Sequence, residues 1–194
     1  MNLYRLSEEE TRILCKQKLE SLEFWMRKLI HDKLIVDFGD NYIEAKINGT
    51  DYLINSNIRR KILARKEAEP ARYSRLIDAS LLEHLIDIIC NPSLYNKYFR
   101  KALDLAFPDG REEAKTFLKR LEYPRNCLSH ANPLSIRNSE QVVCYTNDII
   151  DSIKSYYQMN NNEKEFNVPT IIKLTDSFGN VFHKTNSNEI SVID

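Results

Sequence analysis

A chain of 194 residues, 42% apolar and 29% charged, is long enough to bury an ordinary core without disulfide or metal staples. Four glycines in the whole length argue against a Gly-rich phosphate loop and against a turn-rich all-β fold. The 28 basic and 28 acidic residues cancel, so any contact with nucleic acid has to come from a local patch and not from bulk positive charge.

Met1 to Glu10 is polar and acidic, unlike a signal peptide. Ser7 and Glu10 have the S-x-x-E spacing of a capping box and predict a helix start. Ile13, Leu14, Leu19, Leu22, Trp25, Met26, Leu29 and Ile30 follow at near-helical spacing, and Gly39 ends the run. Asn48-Gly49, flanked by Tyr42, Ile43, Ala45 and Ile47 on one side and Tyr52, Leu53 and Ile54 on the other, predicts an inserted β-hairpin over 42–55. Asn57 to Arg75 is basic, with Pro70 as a breaker. Asp78 or Ser80 then caps an apolar helix through Leu81, Leu82, Leu85, Ile86, Ile88 and Ile89. Asn91-Pro92 stops it, and Pro92 opens an aromatic-rich helix containing Tyr95, Tyr98, Phe99, Ala102 and Leu103. Pro108-Asp109-Gly110 is a turn. A helix is expected from Arg111 to about Tyr123, bounded by Pro124, and a short one over Arg125 to Ala131, ended by Asn132-Pro133. The last long helix is expected from about Ser139 to Gln158. Asn160-Asn161-Asn162 reads as a linker, and 170–185 as two strands around Asp176 to Asn180. The expected fold class is mainly α: a helical domain over 1–158, then over 159–194 a linker with a C-terminal β-hairpin extension or the start of a further domain.

Cys15, Cys90, Cys127 and Cys144 lack the spacing of a zinc knuckle and read as buried, reduced thiols, which points to the cytoplasm. No apolar run reaches the ~20 residues of a membrane span, so no membrane partner is expected. His31, His84 and His183 read as surface residues, and no His-x-x-x-His pair exists. Glu140, Asp148 and Asp151 read as a solvated helix face. Neither a metal nor a cofactor is expected.

The stretch with chemistry in it is Tyr123-Pro124-Arg125-Asn126-Cys127-Leu128-Ser129-His130-Ala131-Asn132-Pro133. Proline belongs in a first helical turn, which puts Arg125 and Asn126 near a helix N-terminus. Asn126 and His130 are four apart and share a face, and Arg125 lies ~100° round from Asn126. Histidine serves as acid or base near neutrality, and arginine offers phosphate a permanent forked cation. Arg59, Arg60, Lys61, Arg65, Lys66, Arg72 and Arg75 supply seven cations in seventeen residues, the best local patch for RNA phosphates, with Tyr73 placed to stack on a base. Ile58, Ile62 and Leu63 equally allow an exposed amphipathic helix there.

Arg125, Asn126 and His130 on the penultimate helix of an all-α pattern resemble the Arg-polar-spacer-His motif of the HEPN superfamily. The likeness spans roughly 11–158 and is nearest a prokaryotic branch found in restriction, anti-phage and toxin–antitoxin loci. The hairpin, the basic segment and the last 36 residues depart from a minimal HEPN bundle. The resemblance implies a homodimeric, metal-independent endoribonuclease, a toxin or defence effector, in which two apposed motifs form one catalytic site. Arg125, Asn126 and His130 would carry the catalysis, and Arg59, Arg60, Lys61, Arg65 and Lys66 would bind RNA. It also implies an antitoxin or another defence-system protein as a partner. The alternative is a catalytically silent HEPN module for dimerisation or sensing within a larger defence protein, and a third reading is an interaction domain without a nucleotide ligand.

Overall fold

The structure, a computed structural model, describes residues 3–47 and 49–160, and the strands at 172–175, 181–184 and 190–192. The chain is mainly helical and divides into two compact units, Met1–Tyr156 and Tyr157–Asp194.

Helix α1, Glu8–Phe38, is the longest element. The Ser7 hydroxyl accepts from the Glu10 N–H at 3.2 Å, while the Glu10 carboxylate accepts from the Ser7 N–H at 2.8 Å. This capping box satisfies donors that a helix start leaves orphaned. Gly39, at φ 69°, ends the helix in a backbone region that favours glycine. Cys15, Leu19, Leu22, Met26, Leu29, Ile30 and Leu34 form the buried stripe, at the three- and four-residue spacing of one helix face. Ile13 falls off the stripe and is exposed.

The inserted hairpin is shorter than its sequence suggests. Strand β1, Lys46–Ile47, pairs antiparallel with β2, Asp51–Tyr52. Tyr42 and Ile43 belong instead to a 3₁₀ turn over Tyr42–Glu44, where both are buried. Their side chains are used for core packing, and a strand would have turned one of them outward. Asn48 lies outside the described residues; Gly49 has φ 78°, a turn conformation.

Helix α2, Ser56–Ala68, is capped by Asn55 and buries Ile58 and Ile62. Helix α3, Leu82–Ile89, packs against α1. Leu82, Leu85, Ile86, Ile88 and Ile89 are all buried, as suits a helix with neighbours on most sides. His84 is buried too, against the surface position expected for it. The outward strip of α3 is Glu83 and Asp87, four residues apart, and His84 lies off that strip. Its Nδ1 accepts from the Leu81 N–H at 3.2 Å, the reach-back that a Glu or Gln makes in a capping box. Its Nε2 finds no hydrogen-bond partner among the described residues.

Pro92–Leu94 (α4), a π-helical segment Tyr95–Phe99 and Arg100–Leu103 (α5) follow in succession, with Tyr95 and Phe99 buried. Helix α6, Arg111–Lys119, packs on α3 and on α7, Glu122–Ser129. Helix α8 is Ile136–Met159. The Ser152 hydroxyl donates to the Ala102 carbonyl at 2.9 Å and accepts from the Ala106 N–H, tying α8 to the end of α5. Cys15, Cys90 and Cys127 are buried as expected; Cys144 is exposed on α8, with its sulfur 3.7 Å from the Asp148 carboxylate. Among the described residues no helix is long and apolar enough to cross a membrane.

In the second unit, β3, Ile172–Thr175, pairs antiparallel with β4, Val181–Lys184, and β4 also pairs with β5, Ile190–Val192. The extension is therefore a three-stranded sheet and not a hairpin. The third strand covers the edge that a hairpin would leave open, and at three residues it was too short to read as a strand. Asn161, Asn162 and the turn expected over 176–180 lie outside the described residues.

Burial pushes the His84 imidazole below its ordinary value; Glu83 opposes the shift, and Lys61 and Arg65 add to it. The unfolded chain therefore takes up a proton at His84 before the folded chain does. Stability from this group is full above the unfolded value of 6.5 and is lost as pH falls below it toward the folded value. His31, half-buried and lowered by burial in the same way, adds a background of the same sign. Urea denaturation between about pH 7.5 and about pH 5.5 should show falling stability in the native chain. His84→Gln, which keeps an acceptor for Leu81, should make the fall shallower.

Candidate active site

Pro124 fixes where α7 begins. A proline ring inside a helix clashes with the carbonyl four residues before it, here that of Arg120. A continuous helix through Tyr123 is thereby excluded, and the break falls at Arg120–Leu121, upstream of the boundary expected at Pro124. Pro124 then sits in the first turn of α7, where its missing N–H has no intrahelical partner to lose. Lys119 closes the junction with a 2.7 Å ion pair to Glu122.

The other end of α7 is held in an uncommon conformation. The His130 N–H still donates to the Asn126 carbonyl at 3.1 Å, and His130 caps the helix. Ala131 follows at φ 56°, the one non-glycine residue with a positive φ among the described residues. The Asn132 N–H then donates to the Cys127 carbonyl at 2.8 Å, which is the six-to-one bond of a Schellman turn. Alanine at that position costs about 1–2 kcal/mol that glycine would not. Arg12 on α1 donates to the Asn132 carbonyl at 2.5 Å and secures the turn from outside.

The motif residues lie on two adjacent faces of α7. Asn126 and His130 are exposed and lie on one stripe with Tyr123, which is 64% exposed. Arg125 lies one step round and faces α1. Its Nε sits 3.5 Å from Glu23 Oε1, and Glu23 also pairs with Arg27 at 2.5 Å. Arg27 in turn donates to the Ser80 carbonyl. Arg125 lines a groove of about 420 Å³ together with Glu23, Arg72, Lys16 and Ser129, whereas Asn126 and His130 do not line it. The Ser129 hydroxyl donates to the Arg125 carbonyl at 3.0 Å, bracing the helix below the guanidinium.

The basic segment splits into two groups. Arg65 donates from Nε to the Ala79 carbonyl at 2.9 Å and from Nη2 to the Tyr73 hydroxyl at 2.8 Å. Lys66 donates to the carbonyls of Pro70 and Tyr73. Both side chains thus hold the chain from Pro70 to Ala79 against α2. Tyr73 is buried, so it is not placed to stack on a base. Arg72 and Arg75 pair with Glu69 and Asp78. Arg60 and Lys61 face solvent, with Arg60 touching the Asn57 amide oxygen. Arg59 lies 3.3 Å from the centre of the Tyr52 ring and so grips the hairpin. Glu140, Asp148 and Asp151 are exposed along α8.

The sequence gives no local sign of Glu23 or Arg12, the two α1 residues that hold Arg125 and the turn after α7. Each lies more than a hundred residues from its partner, at separations of 102 and 120.

Ala131→Gly should stabilise the fold by about 0.5–1 kcal/mol, once the flexibility glycine adds to the unfolded chain is deducted. Urea denaturation measures it; a loss of stability would contradict the strain reading. In the same assay Arg65→Ala should cost about 1.5–3 kcal/mol, because its hydrogen bonds are charge-assisted and partly buried. Arg60→Ala, at the surface, should stay within about 0.5 kcal/mol of the native chain.

In comparisons with protein-family models, with curated proteins and with solved structures, the chain matches none.

Proposed function

We propose that this chain is a metal-independent endoribonuclease of the HEPN type, active as a homodimer and serving as a toxin or anti-phage effector in the cytoplasm. The observation that supports this most is the end of α7. His130 and Asn126 share an exposed stripe, and the residue after His130 is held in a strained backbone conformation. Strain of this kind persists only where the surrounding structure enforces it, and it clusters at functional sites.

The chemistry proposed is attack of the RNA 2′-OH on the adjacent phosphate. A base takes the 2′ proton, an acid protonates the leaving 5′ oxygen, and a cation meets the extra negative charge on the phosphorane. His130 is the acid–base group, Arg125 the cation, and Asn126 orients the phosphate or its neighbours. One histidine does not stand on both sides of an in-line displacement, so a second copy of α7 supplies the other. In this reading Arg125 exchanges its bond with Glu23, in whole or part, for phosphate. Arg60 and Lys61, with Arg59 beside them, are the residues of the basic segment best placed to meet RNA; Arg65 and Lys66 have their hydrogen bonds within the fold. An antitoxin or another defence protein is the expected regulator.

A second reading is favoured by one observation. Arg125 is already neutralised by Glu23 within the chain, as befits a catalytically silent module for dimerisation or sensing.

An RNA cleavage assay separates the two. Native protein should cleave in EDTA and leave a 2′,3′-cyclic phosphate and a 5′-hydroxyl. His130→Ala should lose ~10²- to 10⁴-fold in rate while keeping its fold and its sedimentation as a dimer. Cleavage by His130→Ala at the native rate, or products bearing a 5′-phosphate, would sink the mechanism. A dimer that cleaves no RNA favours the silent module.

A further inference from the structure

The contact between Arg125 and Glu23 is built as a latch. Resting on the ribonuclease reading above, we propose that Glu23 restrains that same site by competing with phosphate for Arg125, and that Arg27 takes up the carboxylate when RNA displaces it.

Glu23 and Arg27 are one turn apart on α1, in the acid-before-base order that favours such a pair. The two oxygens of the Glu23 carboxylate go to different arginines. Oε2 accepts from Arg27 Nη2 at 2.5 Å, and Oε1 accepts from Arg125 Nε at 3.5 Å. The second distance is at the long limit of a hydrogen bond, and the Arg125 side chain makes no other among the described residues. Arg27 is anchored on its far side by donating to the Ser80 carbonyl at 2.9 Å. One arginine thus holds the carboxylate firmly and the other holds it loosely.

The structure also contains a place for the released oxygen. Arg27 Nε is buried and has no hydrogen-bond partner among the described residues. Nε and Nη2 form one edge of the guanidinium, and such an edge matches the two oxygens of a carboxylate. Once Oε1 leaves Arg125, this edge can take both oxygens, and the orphaned donor is satisfied. Opening the latch therefore does not strand a half-buried carboxylate, the cost that ordinarily opposes breaking such a pair. The freed guanidinium lies in the groove with Lys16 and Arg72. Lys16 is paired with Glu20 at 4.0 Å and Arg72 with Glu69 at 2.8 Å, so neither is an idle cation that replaces Arg125.

Glu23→Gln keeps the shape of the side chain and an acceptor but removes the charge that restrains Arg125. Two measurements on the full chain test it: cleavage of an RNA, and fluorescence anisotropy with the same RNA carrying 2′-O-methyl groups, which lacks the nucleophile. Glu23→Gln should bind the methylated RNA about two- to fivefold more tightly, the range a partly solvated pair supports, and should cleave faster at limiting RNA. The gain should vanish in an Arg125→Ala background. Arg27→Gln, which leaves Glu23 to Arg125 alone, should weaken binding, and adding Glu23→Gln should restore it. Glu140→Gln removes the same charge from an exposed position on α8 and should change neither readout. Binding by Glu23→Gln that is unchanged or weaker overturns the latch. So does an equal gain in Glu140→Gln, or a gain that survives the loss of Arg125. Should Glu23→Gln not fold, unchanged binding by Arg27→Gln overturns it. A native chain that cleaves, with Glu23→Gln no faster, sinks the latch and leaves the ribonuclease reading standing. Cleavage by Glu23→Gln where the native chain is silent supports both. Tighter, Arg125-dependent binding without cleavage by either chain keeps the latch and sinks the ribonuclease.

Discussion

A helix of 31 residues with one apolar stripe is unstable on its own, and the burial of the α1 stripe organises the first unit. From Cys15 to Leu34 the stripe needs a cover about 28 Å long, more than one short helix provides. Helix α3 and the π-helical segment cover part of it and α7 another part. Each fully buried leucine contributes roughly 1.5–3 kcal/mol, so this seam outweighs any single polar contact in the structure. The density of aliphatic residues in α3 follows from its place in that cover, and so does the burial of His84.

The polar contacts act on this frame by fixing direction. Arg12 and Glu23 lie about 16 Å apart on α1 and meet opposite ends of the motif segment, the Asn132 carbonyl and the Arg125 guanidinium. Apolar packing alone would tolerate a small rotation or slide of α7. Two polar ties at separate heights remove that freedom and set which face of α7 looks outward. The pair between Arg125 and Glu23 is long and partly solvated, so its value lies in orientation more than in stability. A cation held by one weak pair is also one that a phosphate displaces at modest cost.

Helix α6 connects the α3 side of the first unit to α7. One of its faces packs on α3 and α7; of its cations, Arg111 is half-buried and tied to the Cys90 carbonyl and to Glu112, while Lys115 is exposed. The break at Arg120–Leu121 that Pro124 imposes joins α6 to α7 directly.

Much of the helical framework was legible in local sequence. The capping box at Ser7, the stop at Gly39, proline at the start of α4 and the apolar spacing of α1 and α8 all act within a few residues, so sequence suffices to place them. The cluster Arg125, Asn126 and His130 was legible as a spacing, and helical geometry alone makes Asn126 and His130 share a face. Other features depended on what packs against what. Tyr42 and Ile43 left the hairpin for the core, and Tyr73 and His84 went inside, because neighbours far away in sequence closed over them. Arg65 and Lys66 look the same in sequence as Arg60 and Lys61, but backbone carbonyls brought near by the fold bind the first two and leave the second two in solvent. The pairing of Arg125 with Glu23 and the αL turn at Ala131 were likewise decided by tertiary structure. The first joins residues 102 apart, and the second is a conformation alanine adopts only where surrounding contacts impose it.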